Sequence, residues 1–137
     1  MTTATMTIER ASQGVPVFET AHWLLRLPLA AVILQQGFSK APLSAAEAAS
    51  YDLPVMLWAM AAIGEIGAGL LLLAGGVMQN WLGHLATRIA GFGIAAIVLG
   101  VLIVAYAAPP LEILLYNQFH VLLLMLGAFF ALRGNQA

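Results

Sequence analysis

The sequence predicts an all-α protein, a single four-helix transmembrane bundle with up-down-up-down topology. The first observation is composition: the chain is 62% hydrophobic and only 8% charged, whereas about a quarter of the residues of a soluble domain are charged. The second is that four apolar segments each approach the roughly 20 residues that a helix needs to cross a bilayer. The third is that strand-like alternation is absent, and lipid requires each spanning segment to pair its own backbone groups.

The segments divide the chain into a polar N-terminal tail, a membrane domain over 20–133 and a short C-terminal tail over 134–137. The predicted spans are 22–38, 54–77, 82–107 and 113–132. The first nineteen residues, "MTTATMTIERASQGVPVFE", are polar and rich in small residues. We interpret them as a tail and not as a signal peptide, because the apolar run begins late and contains Arg26.

The connections between the predicted spans are mostly short. Residues 78–81, "MQNW", and 108–112, "APPLE", are expected to be tight turns, and short loops make neighbouring helices antiparallel. The longer connection is 39–53, where Ser44 and Glu47 match the S-x-x-E capping box before an alanine-rich stretch. The sequence therefore predicts a short interfacial helix in the 39–53 loop.

The distribution of lysine and arginine predicts the orientation of the bundle. With four spans, both termini lie on one side of the membrane, and that side receives most of the cationic residues. They are Arg10, Arg26, Arg88 and Arg133. The opposite side has only Lys40. We therefore expect both termini to be cytoplasmic and the 39–53 loop to lie outside.

Composition also excludes several classes of function. The chain has no cysteine, which rules out disulfide bonds, thiolate catalysis and cysteine-ligated iron–sulfur clusters. Its formal net charge is −1 and it has no basic run to contact phosphates, so we expect no nucleic-acid partner. No complete catalytic motif is present, which favours a non-catalytic subunit over an enzyme.

Ionisable residues within membrane spans are rare and usually face other helices. Arg26, Glu65, Arg88 and His120 are of this kind. Glu65 lies near the middle of its span among small residues, and we expect Arg26 to pair with it, because pairing reduces the desolvation penalty of each charge. In the alternative, the two arginines extend to the lipid headgroups and Glu65 is protonated.

A second group of polar residues is expected in the outer half of the bundle. It consists of Gln35, Gln36, Glu65, Asn117 and His120. These side chains could line a pocket, hydrogen-bond the carbonyls of a quinone and relay its protons. The alternative is simple hydrogen bonding between helices.

His22 and His84 are expected at one depth near the inner interface. Two such histidines could ligate a haem axially, but interfacial histidines are common and haem is the less favoured interpretation. No H-x-x-x-H spacing is present, and we expect no metal site.

The second and third spans are rich in small residues. Their glycines of interest are Gly64, Gly67, Gly69, Gly91, Gly93 and Gly100. Small residues let helices approach closely, either within the bundle or against another membrane protein. Both the packing and the docking interpretation are open from the sequence.

The chain resembles the DoxX family of small four-helix membrane proteins. The resemblance depends on "RLPLAAVILQQGFSK" and "GEIGAGLLLLAG", followed by a short turn and Arg88, and it covers about 20–132. Its pattern residues here are Arg26, Gly37, Lys40 and Glu65. The resemblance implies a four-helix bundle and an association with membrane oxidoreductases, including quinone-dependent sulfur oxidation in archaea. It also places the chain in the inner or plasma membrane of a prokaryote.

Two functions follow as expectations. The first is an accessory or stabilising subunit of a larger membrane bioenergetic or oxidoreductase complex, with lipid and other membrane subunits as partners. The second is a redox membrane protein that binds a quinone through the cluster around Glu65 and His120. The first agrees with the small size and short loops, because a catalytic subunit needs a group that holds electrons.

Overall fold

A computed structural model describes residues 3–4, 6–7 and 18–136 of the chain, and the regular structure in this part is helical with no strand. The all-α prediction is therefore confirmed for these residues. The predicted N-terminal tail, 1–19, lies outside the described residues except at 3–4, 6–7 and 18–19.

Six α-helices follow one another within the described residues 18–136. A 3-10 turn, Glu19–His22, leads directly into the first of them. The helices are α1 (Trp23–Ser39), α2 (Ala45–Ser50), α3 (Val55–Val77), α4 (Trp81–Val104), α5 (Pro110–Tyr116) and α6 (Gln118–Arg133). The predicted short helix in the 39–53 loop is present as α2, and the Ser44 hydroxyl accepts a hydrogen bond from the Glu47 amide at 3.4 Å.

Two helices, α3 and α4, are long and apolar enough to cross a membrane. A third span results if α5 and α6 are taken together, although they are bent by 101° at Asn117. The 17 residues of α1 extend about 25 Å at 1.5 Å per residue. The chain is thus an integral membrane protein by length and composition, with two to three spanning helices rather than a confirmed set of four.

The predicted span over 113–132 is interrupted in the structure, where it falls on two helices, α5 and α6. The helix breaks at Asn117, whose backbone has φ −118° and ψ 38°. Asparagine competes with the helix through side-chain to backbone hydrogen bonds and is among the weaker helix formers. A separate helix begins upstream at Pro110, where proline suits the first turn of a helix.

The long helices pack in the order α1, α3, α4, α6, and each packs antiparallel to the next, while α1 and α6 touch each other only slightly. Their shared core consists of Leu29, Ala30, Ile33, Ala68, Leu72, Ala90, Ile94, Val98, Leu102, Leu123 and Phe130. The closest approach is between α4 and α6, where a Cβ atom on Gly91 would lie 2.6 Å from the Gly127 carbonyl oxygen. Small residues at this crossing let the two backbones come together.

The two ends of the helix set differ. At one end, the start of α1, the end of α3, the start of α4 and the residues after α6 meet around Arg26. We call this the Arg26 end. At the other end, which we call the Lys40 end, the four helices enclose a cavity beneath the loops that follow α2 and α4. The functional candidates divide between these two ends.

Candidate binding cavity and its ion pair

Glu65 is paired with Lys40 and not with Arg26. The Lys40 ammonium lies 2.7 Å from Glu65 Oε2, and the two side chains are only 10% and 7% exposed. This contact corrects the expected ion pair between Arg26 and Glu65. Because an unpaired charge in such a site would bear the full desolvation penalty, the pair lets both groups be buried while charged.

The register of α1 against α3 explains the different partner. Gly37 packs directly over Ala62 and Ile66, where a Cβ atom would lie 2.7 Å from the Ile66 side chain. This contact places Lys40, which caps the end of α1, beside Glu65. Arg26 lies fourteen residues earlier, about 21 Å along the helix axis.

Lys40 is held by more than the carboxylate. Its ammonium also donates to the backbone carbonyl of Gln36 at 3.0 Å. It lies 5.2 Å from the centre of the Trp58 ring, close enough for a cation–π contact. The Tyr51 ring stacks on Trp58 with 5.1 Å between centroids. This wall of the site is therefore built from α1, α3 and the loop between α2 and α3.

Arg26 is fully buried and, within the described part of the chain, forms no salt bridge. Its guanidinium instead donates to four oxygen and nitrogen atoms. They are the Leu72 carbonyl oxygen, Thr87 Oγ1, Asn135 Oδ1 and His22 Nδ1. We call Arg26 and these partners, together with His84, the Arg26 network. In this network the buried charge of Arg26 is stabilised by hydrogen bonds to neutral polar groups and not by a carboxylate.

Asn135 joins three helices in this network. Its side-chain oxygen accepts from Arg26 at 2.7 Å and from Thr87 at 2.6 Å, while its amide nitrogen donates to the Gly75 carbonyl at 2.6 Å. Within the predicted C-terminal tail, 134–137, Gly134 is buried and Asn135 is half-buried, so these two residues pack against the helices. Sequence reasoning missed both Asn135 and Thr87. The signal available for Thr87 was a polar residue inside an apolar helix.

The two histidines considered as haem ligands belong to the same network. His22 Nδ1 accepts from Arg26 Nε at 3.3 Å, and His84 Nδ1 accepts from the backbone N–H of Asn135 at 3.2 Å. Among the described residues, no group of three histidine or carboxylate side chains is placed to hold a metal ion.

Arg88, the other arginine considered for the inner interface, lies outside the Arg26 network. Its Nη2 donates to the Leu132 carbonyl oxygen at 2.7 Å in an exposed position. The carbonyl lies near the end of α6. Arg88 therefore contacts the last turn of α6 from an exposed position, whereas Arg26 is buried in the bundle.

A cavity of about 440 Å³ lies at the Lys40 end. Its apolar walls come from α1, α3, α4 and α6, and residues of two loops close its outer end. The polar and aromatic side chains that line it are Gln36, Lys40, Tyr51, Trp58, Glu65, Tyr106 and His120. Ligand sites commonly have this composition, an apolar wall with a few placed polar groups.

The structure brings together three of the five residues predicted to form a polar pocket. Gln36, Glu65 and His120 line the cavity. Gln35 and Asn117 are not in its lining. Neighbouring residues on a helix point about 100° apart, which is why Gln36 faces the cavity while Gln35 is exposed.

The polar groups of the cavity form two sets on different walls. One is the Lys40–Glu65 pair beside Trp58. The other is Tyr106 with His120, whose rings lie 4.9 Å apart between centroids. Trp58 Nε1 is buried and has no acceptor within the described chain. Together these groups can donate hydrogen bonds to a ligand oxygen, accept its protons and stack on a flat ring.

The six glycines considered for packing or docking separate into three groups. A Cβ atom on Gly64, Gly69 or Gly91 would lie within 3.0 Å of a neighbouring helix, so these three serve internal packing. Gly93 has only an ordinary contact, with the Ala68 side chain at 3.8 Å. Gly67 and Gly100 have nothing within 4 Å, and Gly100 lines the cavity.

The residues that carry the family resemblance all have structural partners. Gly37 forms the crossing of α1 and α3, Lys40 and Glu65 form the buried pair, and Arg26 organises the other end. When the chain is compared with protein-family models, with curated proteins and with solved structures, none of them matches it.

Proposed function

We propose that this protein is a small integral membrane protein that binds a quinone-type molecule in the cavity at the Lys40 end. The observation that carries the proposal is the pairing of an apolar cavity with two separate polar sets, Lys40–Glu65 and Tyr106–His120. A quinone has a flat ring with a carbonyl oxygen on each side. An ammonium and an imidazole are suitable donors to such oxygens.

The same side chains would exchange protons with the oxygen atoms of a bound quinol. Imidazole and carboxylate groups exchange protons readily when they lie within hydrogen-bond reach of the reacting oxygen. In this proposal Lys40 and His120 bind and orient the head group, Glu65 keeps Lys40 charged, and Trp58 and Tyr51 provide a flat aromatic wall.

Fluorescence of Trp58 provides the direct test of binding. The chain has three tryptophans, and the other two lie at the Arg26 end, so a Trp23→Phe/Trp81→Phe variant retains only the one in the cavity wall. We expect an alkyl-tailed benzoquinone to quench this emission saturably in nanodiscs. Quenching that stays linear with quinone concentration would mean collision in the lipid and would overturn the proposal.

Two neighbouring glutamines give a matched control. Gln36→Leu removes a polar group from the lining, whereas Gln35→Leu changes an exposed residue of the same type one position earlier. We expect Gln36→Leu to weaken quinone binding about tenfold, equivalent to about 1.4 kcal/mol. Gln35→Leu should bind as the parent does, and equal losses in both variants would argue against this cavity.

A second candidate function is an accessory subunit of a larger membrane oxidoreductase complex, as in the DoxX family. The observation that favours it is Gly67, which has open space around it on α3 while Ile63 and Leu70 on the same stretch are 70% and 54% exposed. Small residues on an outer face let another membrane helix approach.

Purification from native membranes tests the accessory role. A C-terminally tagged chain should co-purify with a stoichiometric set of partner subunits, and Gly67→Leu should release them while the isolated chain remains folded. Gly93→Leu, on the neighbouring helix, provides a comparison at a glycine with an internal neighbour. A chain that purifies alone from gently solubilised membranes would refute the accessory role.

A further inference from the structure

The helix pairs that surround the cavity at the Lys40 end are not equally tightly packed. The α1–α3, α3–α4 and α4–α6 pairs are tightly packed, whereas α1 and α6 touch each other only slightly. One contact between them is at the Arg26 end, where the Arg26 guanidinium lies 4.9 Å from the centre of the Phe130 ring. His120 on α6 is ten residues from Phe130, so the cavity lies about 15 Å along the axis from this contact.

The outer end of the cavity is covered by two loops. Tyr51 and Leu53 come from the loop before α3, and Ala105 and Tyr106 come from the loop after α4. Two of these side chains are held by neighbours, because Tyr51 stacks on Trp58 and Tyr106 packs on His120. A route from the aqueous phase along the bundle axis would have to displace them.

The gap between α1 and α6 is the weakly packed side of the cavity, and we call it the opening. The two helices that flank it carry no charged residues at the level of the cavity. Between Leu27 and Ser39 on α1, and between Gln118 and Leu132 on α6, the sequence has no acidic or basic residue other than His120. Leu122 and Met125, on α6 next to the cavity, are 57% and 59% exposed. An apolar surface of this kind suits contact with lipid chains and offers nothing to attract a charged solute.

We propose that the ligand enters the cavity sideways from the lipid layer, through the opening between α1 and α6, and that it is a quinone-type head group carrying an apolar tail. This inference depends on the proposed quinone binding. In the bound state the head group lies between Lys40 and His120, and the tail passes through the opening into the bilayer. The protein therefore takes a membrane-dissolved carrier and not a water-soluble redox molecule.

Reversible cross-linking can test the route, because the natural chain has no cysteine. Ile33→Cys with Leu123→Cys places one thiol on α1 and one on α6, both at apolar positions of the cavity lining. Leu53→Cys with Ala105→Cys places the two thiols on the loops at the end of the cavity and leaves the polar and aromatic lining intact. Each pair is joined by a disulfide-forming bifunctional reagent in the variant whose only tryptophan is Trp58.

The measured quantity is the rate at which an alkyl-tailed benzoquinone leaves the cavity, followed as recovery of Trp58 fluorescence in nanodiscs. We expect the α1–α6 link, formed before the ligand is added, to slow both binding and release at least tenfold, and a reductant to restore the original rates. The link between the loops should leave both rates within twofold of the reduced protein.

Slowing by the loop link alone, or equal slowing by both links, would overturn the lateral route in favour of entry along the bundle axis. Failure of the proposed function gives a different result, because the reduced, unlinked variants would then show no saturable quenching by the quinone. Saturable quenching in those reduced variants also shows that they are folded.

Discussion

Lys40 and Glu65 show how the partner of a buried charge depends on helix register. Arg26 and Lys40 are cations near opposite ends of the first apolar segment, and depth counted from the sequence favours Arg26 as the partner of Glu65. The contact of Gly37 with Ala62 and Ile66 decides for Lys40. It sets Glu65 level with the end of α1 and leaves Arg26 level with Gly76, about three helical turns away.

The ion pair is expected to be coupled energetically. Lys40→Met should destabilise the protein by about 3 kcal/mol, because the Glu65 carboxylate remains buried without a partner. Lys40→Met combined with Glu65→Leu should recover most of this loss. Thermal unfolding of both variants in the same detergent measures the difference, and a double-mutant cycle between Arg26 and Glu65 should give a coupling near zero.

The Arg26 network makes Asn135 a stabilising residue despite its place at the end of the chain. Asn135→Ala removes an acceptor for Arg26 and Thr87 and a donor to Gly75. We expect it to lower the free energy of unfolding by about 2 kcal/mol, because buried donors lose their acceptor. Gln136→Ala, at the exposed neighbouring position, is the control and should change stability little.

At the scale of elements, the glycines of α3 and α4 are not equivalent. Gly91 faces the backbone of α6, with the Ala131 nitrogen close to where a Cβ atom would lie, whereas Gly67 faces open space. The sequence places both in the same kind of small-residue stretch. Their different roles come from the face that each occupies: Gly91 lies on the side of α4 that packs against α6, whereas Gly67 lies on a side of α3 with no neighbouring atom within 4 Å.

Alanine substitution should separate these two glycines. Gly91→Ala is expected to cost about 2 kcal/mol, because the added methyl group meets the α6 backbone, which cannot move aside cheaply. Gly67→Ala should be neutral or stabilising by up to about 1 kcal/mol, since alanine is the better helix former. Unfolding of both variants in one detergent checks the order, and equal costs would contradict the packing described for α4 and α6.

At the scale of the whole molecule, the described residues place 18–22 and 134–136 at one end and the loop around α2 at the other. This arrangement follows from the antiparallel packing of α1, α3, α4 and α6. The distribution of lysine and arginine predicts that both termini are cytoplasmic and that the 39–53 loop lies outside.

Reporter fusions should resolve this orientation. An enzymatic reporter that is active only outside should work after Ala49, and a cytoplasmic reporter should work at the C-terminus. The physical reason is the excess of arginine at the Arg26 end, which is retained on the cytoplasmic side. The same reporter being active at both positions would mean that the number of spans between them is even.

The sequence by itself determined the class of protein, the helical structure and the buried charged residues Arg26 and Glu65. Lipid tolerates only spanning segments that pair their own backbone groups, so apolar runs predicted helices over 23–39, 55–77 and 81–104 to within three residues at each end. The capping residues Ser44 and Glu47 likewise predicted α2, because a cap is a local interaction.

Only the tertiary structure decided which polar groups meet. Periodicity gives the direction of a side chain around its own helix but not the axial offset between two helices, which depends on how small residues such as Gly37 and Gly91 interlock. This offset assigned Glu65 to Lys40. The rotation of α1 against its neighbours decided that Gln36 lines the cavity and Gln35 does not. Asn135 could not be found from the sequence, because its partners come from three helices that are distant along the chain.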